Sequence, residues 1–284
     1  MSETSKVSEN SPIVHANPWH QLRRYTAARI AQGRAGNSLP TEALLSFQLD
    51  HARAQDAVHL PLNTRRLCEQ LAALPTVGRY TIGAPQQLHS QARDRREYLQ
   101  RPDLGRRLNQ ASQQTLGEIG ARAAHAYDLA LVIADGLSSQ AVQHHTVPLL
   151  QALVTTLQTS SHIWELAPTT LVCQGRVAIG DEIGERLNAR CVVLLIGERP
   201  GLSSPDSLGI YLTWQPHPGR SDAERNCISN VRPEGLGYRE AASRLLYLLE
   251  ESRRLELSGV NLKDRTKTDV AEIHDGAKNF LLPR

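Results

Sequence analysis

Paired cysteines are missing from this chain. Cys68, Cys173, Cys191 and Cys227 are far apart and form no C-x-x-C. That spacing excludes a zinc ribbon, argues against a disulfide framework and suits a reducing cytoplasm. No H-x-x-x-H or metal-spaced Cys/His cluster occurs, so a bound metal is not expected, and no G-x-S-x-G marks a nucleophile. The phosphate-binding signatures G-x-G-x-x-G and G-x-x-x-x-G-K-[ST] are also absent, which disfavours a nicotinamide dinucleotide or ATP. No apolar run is long enough to cross a bilayer, and the polar start MSETSKVSENSPIVHANP has no signal-peptide core, so no membrane association is expected. The net charge of +3 comes from arginines scattered among acids, without the basic face that nucleic acid requires.

What is present is enough to build a large core. The 284 residues are 40% hydrophobic, ordinary for a globular protein. Residues 1–17 are polar and predict a disordered tail. Leu22, Thr26 and Ile30 fall on one face of a helix opened by Pro18 and closed by Gly33 and Gly36, and a second helix follows Pro40 and Thr41. Residues 18–95 are therefore expected to form a small, mainly helical N-terminal subdomain, with GRYTI as one short strand. A further helix is expected from Pro102.

The pattern then changes. LALVIA, TTLVC, CVVLLI and LGIYLTW are continuous apolar runs separated by helical segments. Strands buried on both faces of a sheet need that pattern. The prediction is an α/β fold: a Rossmann-like open, mainly parallel sheet within residues 96–262, with Pro148 kinking or breaking one helix. After Trp214 the chain reads as a long irregular connection containing Cys227, then a last helix. Residues 263–284 read as a polar extension.

Open parallel sheets bind ligands beyond the carboxyl ends of their strands. That rule selects Asp135–Ser139, Gln174–Val177 and Gly197–Gly201 as one edge. Arg176 offers cationic donors there, beside the free N–H groups of a helix start. Composition alone leaves two readings open: Glu198 is solvated among turn-forming Gly and Pro, or it faces a ligand. Asp181, Glu182 and Glu185 are expected on an exposed helix face, favoured by the helix dipole. His144 and His145 are expected to be ordinary surface or half-buried side chains that share no metal. No catalytic constellation emerges.

Five blocks carry a family resemblance: LRRYTAARIAQGRAG, RPDLGRRLNQ, VIADGLSSQAV, GRVAIGDEIGERLNARCVVLLIGERPGL and ERNCISN. In this order, between about Pro18 and Leu262, they resemble the small (light) subunit of adenosylcobalamin-dependent ethanolamine ammonia-lyase. The resemblance implies a cytoplasmic hetero-oligomer, inside a bacterial microcompartment, that converts ethanolamine to acetaldehyde and ammonia by a radical route. It implies a large (heavy) subunit that binds ethanolamine, no catalytic residue on this chain, and cobalamin contacts at Val177, Glu198 and Cys227. The Asp-x-His-x-x-Gly element of another cobalamin-binding class is absent, so the resemblance implies that the nucleotide base stays on cobalt. The alternative is a Rossmann-like scaffold that binds a partner without cobalamin and without catalysis.

Overall fold

The structure, a computed structural model, describes residues 13–264. Most of the expected tail (1–12) and of the expected extension (265–284) lies outside the described residues.

The chain enters through β1 (Val14–His15), antiparallel to β2 (Arg34–Ala35). Between them the helix expected from Pro18 is only a 3-10 helix, Pro18–Tyr25, capped where the Asn17 side chain accepts from Trp19 N at 2.9 Å. It buries no residue, so nothing beyond local bonds extends it, and Thr26 is already extended. Helix α1 (Thr41–His59) forms as expected but buries only Ala57. Among the described residues, the exposed large hydrophobic side chains lie between Ile13 and Leu60, apart from Ile163, Leu255 and Val260.

Helix α2 (Thr64–Ala72) turns inward and places Leu67 and Leu71 in the main core. GRYTI makes only a single bridge, Val77 to Tyr80. Strand β3 (Gln86–His89), within residues 18–95, joins the main sheet. It is followed by α3 (Arg95–Gln100). The helix expected at Pro102 begins later, as α4 (Gln110–Arg122), where Asn109 accepts from Ser112 N at 2.8 Å. The chain before it is held down by Arg176 N donating to Gly105 O at 2.7 Å.

The remaining elements are β4 (Tyr127–Ala134), α5 (Ser139–Leu157), β5 (Thr170–Cys173), α6 (Ile179–Arg186), β6 (Ala189–Gly197), β7 (Leu208–Trp214), β8 (Arg225–Val231) and α7 (Tyr238–Leu255). Helix α5 runs unbroken through Pro148. The sheet order is β3-β5-β4-β6-β7-β8. The first four strands are parallel, and β7 and β8 are antiparallel to their neighbours. The fold is thus α/β and Rossmann-like, with its parallel half where the apolar runs predicted it.

Those runs are continuous because each strand feeds two cores. Leu129, Leu131 and Ile133 of β4 pack with α2, α5 and α7 residues such as Leu67, Leu149 and Leu245. Ala130, Val132 and Ala134, one residue out of phase, pack against Leu116 of α4 and Ile179 and Ile183 of α6. A one-residue slip of β4 would swap Leu for Ala across the sheet, so the register is fixed by volume.

Candidate functional site

The loops after β4, β5 and β6 meet beyond the carboxyl ends of these strands. Asp135 is buried and accepts from Gln174 N at 2.9 Å and Gly175 N at 3.0 Å, joining the first two loops. Burial raises its carboxyl above the usual range despite these bonds. The first and third loops touch directly, with Leu137 N donating to Gly197 O at 2.9 Å. That approach requires glycine at 136: its φ is +59°, and a Cβ there would lie 2.2 Å from Gly197 O.

Helix α3 supplies a lid over the junction. Arg95 donates through Nε to Val58 O at 2.6 Å and through Nη1 to Gly136 O at 2.7 Å, and lies 3.9 Å from the Asp135 carboxylate. The end of α1 is thereby tied to the loop after β4. Tyr98, fully buried, donates its hydroxyl to Gly175 O at 3.2 Å. The guanidinium of Arg95 sits 4.8 Å from the Tyr98 ring centroid and that of Arg176 sits 4.0 Å from it. Arg176 also donates from Nη2 to Tyr98 O at 3.0 Å.

A concavity of about 430 Å³ opens against this junction, lined by Tyr98, Leu137, Arg176, Val177, Glu198 and Tyr211 among others. A neighbouring one of about 480 Å³ shares Arg176, Val177 and Tyr211 with it, so the two form one groove. Val177 and Glu198 both line the groove. The Glu198 carboxylate is held by Asn230 N, 3.2 and 3.3 Å from its two oxygens, which links the loop after β6 to strand β8. Cys227 is exposed on β8 and pairs in register with Tyr211 of β7. Although Cys227 as a residue is exposed, desolvation of its sulfur raises the thiol, a shift partly offset by the hydrogen bond from Tyr211, and burial raises the Tyr211 hydroxyl. The groove therefore gathers the loops after β4, β5 and β6 with the two antiparallel strands.

Three expectations need correction. Cys227 stands on a strand, not in an irregular connection, because β8 pairs with β7 from Arg225 to Val231. Asp181 and Glu182 are buried, not solvated, because α6 packs against α4 and the sheet, and the Arg225 side chain of β8 reaches over to Asp181. Asp181 pairs with Arg225, while Glu182 accepts from Leu108 N and Gln113 Nε2, each at 2.9 Å, and from Arg186 Nε at 3.2 Å. His145 is buried on α5, with Nδ1 2.8 Å from the Tyr238 hydroxyl and Nε2 3.4 Å from Asp206. Among the described residues no group of three or more His, Cys, Asp or Glu could hold a metal ion.

Arg95, Tyr98 and Tyr211 were not singled out in the sequence. The two tyrosines carried a usable signal, since aromatic residues are only 4% of the chain and these two flank the selected loops. Around the loop junction some polar atoms are left unsatisfied by the protein, and of their residues only Arg176 lines the groove. Arg95 Nη2, Gln174 Oε1 and Arg176 Nε are buried and have no hydrogen-bond partner. Buried polar atoms are rarely left so.

Comparison with known proteins adds the following. The sequence model of the family described as Ethanolamine ammonia-lyase light chain (EutC) matches residues 16–263. The protein named Ethanolamine ammonia-lyase small subunit from Ralstonia nicotianae is 53% identical over 279 residues, covering 98% of this chain and 99% of its own length. Proteins of the same name from Pseudomonas fluorescens (Pf-5) and Pseudomonas syringae pv. tomato are 54% and 56% identical, over 96% and 97% of this chain and 98% and 92% of their own lengths.

Proposed function

The chain belongs to the ethanolamine ammonia-lyase light-chain family, and from that premise we propose that its task within the ammonia-lyase complex is to hold adenosylcobalamin against the large subunit. The large subunit binds ethanolamine, and this chain supplies no group to the substrate. The observation that carries the reading is the groove: Arg176, Val177, Glu198 and Tyr211 line it, with Cys227 paired beside Tyr211 on the adjoining strand.

These residues suit a corrin ring chemically. Its rim bears amide side chains that donate and accept. Glu198, fixed by Asn230 N, keeps acceptor capacity for an amide N–H₂. Arg176 can donate to an amide oxygen while its stacking on Tyr98 limits its motion. Tyr211 and Leu137 offer apolar surface, and Cys227 flanks the rim from β8. When bound, the cofactor would supply a cobalt–carbon bond whose homolysis starts radical chemistry. The chain's own share is orientation: loops joined through Asp135 and Gly136 keep the groove in one shape before the ligand arrives.

Among the described residues no helix is long and apolar enough to cross a membrane. In this reading the complex works in the cytoplasm, within a bacterial microcompartment. The test is reconstitution: this chain and the large subunit, mixed with adenosylcobalamin and ethanolamine, should form acetaldehyde and shift the corrin spectrum. Absence of both changes would refute the reading in favour of a non-catalytic scaffold, and acetaldehyde from this chain alone would contradict the division of labour.

A further inference from the structure

Exposed apolar surface is concentrated in one part of the molecule. Of the fourteen large hydrophobic side chains exposed among the described residues, eleven lie between Ile13 and Leu60. They include Ile13 at 85%, Tyr25 at 74%, Leu45 at 59% and Trp19 at 54%. Summed over the segment they present on the order of 1,000 Å² to water, against ~300–600 Å² for the largest apolar patch of a typical monomer. One side of a standard protein interface needs about 800 Å². Helix α1 is the plainest case. Leu44, Leu45, Phe47 and Leu49 spread over about 200° of its circumference, while its 19 residues bury only Ala57. A helix in a folded protein owes most of its stability to an apolar stripe packed on a neighbour, and α1 turns its stripe away from its own chain.

Polar bonds nonetheless hold this segment in one orientation. Arg29 pairs with Asp50 of α1 at 2.5 Å and donates to Leu202 O at 3.3 Å, and Ser203 Oγ donates to Ala27 O at 3.1 Å. Past the end of α1, Ser139 Oγ donates to Leu60 O at 2.5 Å. The charges then narrow down what the face can meet. Arg23, Arg24, Arg29, Arg34 and Arg53 stand against Glu42, Asp50 and Asp56, which leaves two positive charges in excess. A concavity of about 290 Å³ beside α1 is lined by Arg23, Arg29 and Arg53 with Asp50, Ser46 and Ser203, three guanidiniums to one carboxylate. Asp50 is shared between Arg29 and Arg53, and Arg23 forms no ion pair among the described residues. Two copies of this chain meeting through the face would set arginine against arginine, because a twofold contact presents the same patch twice. The face suits a different chain, apolar at its centre and acidic at its rim.

We infer that residues 13–60 form the docking face for the large subunit of the complex. The large subunit covers Tyr25, Leu45 and their apolar neighbours, and a carboxylate of its own enters the concavity between Arg23 and Arg53. The inference rests on the place of this chain as a small subunit and not on the cofactor reading, since none of these residues lines the groove beside Val177 and Tyr211.

The test is sedimentation velocity of the full chain mixed with its large subunit in the absence of any corrin. Leu45→Asp should weaken the complex roughly tenfold or more, as loss of a central apolar contact requires. Arg23→Glu should weaken it about fivefold, and added salt should shrink that difference. Ile163→Asp is the control: the residue is 56% exposed but lies beside Asp128, and its variant should bind as wild type does. All three positions are exposed, so folding is not at risk, and circular dichroism verifies this. Hydrogen exchange gives a second readout that needs no variant: the amides of α1 should gain protection when the large subunit binds. Wild-type affinity in Leu45→Asp, α1 amides that exchange equally fast in the free chain and the complex, or a wild-type chain that forms no complex would each overturn the inference. A Leu45→Asp chain that loses only association with itself would also overturn it and assign the face to a second copy. A complex that forms through this face yet binds no corrin supports the inference while refuting the cofactor reading.

Discussion

Strand β4 carries an aspartate near each end, and the two are treated in opposite ways. Asp128, near the amino end, lies 3.1 Å from His162 Nε2, 3.0 Å from Arg253 Nη1 and 3.7 Å from Arg190, and accepts from Glu165 N at 3.1 Å. Burial alone would raise its carboxyl, but the Glu165 amide, His162 and Arg253 outweigh it and the net shift is downward. Asp135, just past the carboxyl end, relies mainly on backbone N–H groups and one arginine 3.9 Å away, and its carboxyl is raised. Around Asp128, neither His162 nor Arg253 leaves a buried polar atom unpartnered, whereas around Asp135 the atoms Arg95 Nη2, Gln174 Oε1 and Arg176 Nε are left so. One end of the strand is finished by the chain itself, and the other is left with unsatisfied polar atoms.

The sharpest way to break this contrast is to force the loops apart at the unfinished end. Gly136→Ala combines a left-handed φ with a Cβ 2.2 Å from Gly197 O, and is expected to cost about 3 kcal/mol or more. Urea unfolding measures this, and corrinoid binding by the complex should fall with it.

At the finished end, Asp128→Asn should cost about 2 kcal/mol, with corrinoid binding unchanged. The pH dependence has a definite sign. Because the folded pKa of Asp128 is depressed, its stabilisation is present above the unfolded value of about 4 and fades as pH falls through the folded value. The stability gap between wild type and Asp128→Asn should therefore narrow on acidification below about pH 4. Asp135 should behave oppositely. Its folded pKa is raised, so wild type loses stability relative to Asp135→Asn as pH rises from about 4 through the folded value. Parallel slopes for the two variants would remove the distinction between the two ends.

A smaller effect is expected from Arg176→Ala, which removes the Tyr98 stacking contact and a donor to the groove. Corrin titration should show roughly tenfold weaker binding, and stability should change by less than about 1 kcal/mol. The smallest effect belongs to Cys227→Ser: the residue is exposed on an edge strand, so unfolding should shift by no more than about 0.5 kcal/mol. Alkylation of the Cys227 thiol, already slowed by its raised pKa, should slow further when the groove is filled.

The same contrast explains what could be read without coordinates. The parallel strands were legible because LALVIA and CVVLLI each feed two cores, and their loops followed from the rule about carboxyl ends. Strand β8 was not legible. RNCISNV is an edge strand opposite a register irregularity near Leu208 and Ile210, and only Arg225, Ile228 and Val231 are buried, so no period-2 signal survives. Asp181 and Glu182 were misjudged for a related reason: their partners, Arg225 and Gln113, are distant in sequence and reach α6 only once β8 and α4 have docked. The site's loops were visible, but Arg95 and Tyr98 were hidden in a stretch where prolines and glycines erase periodicity.

The apolar skin between Ile13 and Leu60 bears on the life of the subunit before assembly. Helix α1 shows water Leu44, Leu45, Phe47 and Leu49 while burying only Ala57. A freshly synthesised copy is therefore a perishable intermediate, whose tendency to clump rises with its own concentration until that surface is covered.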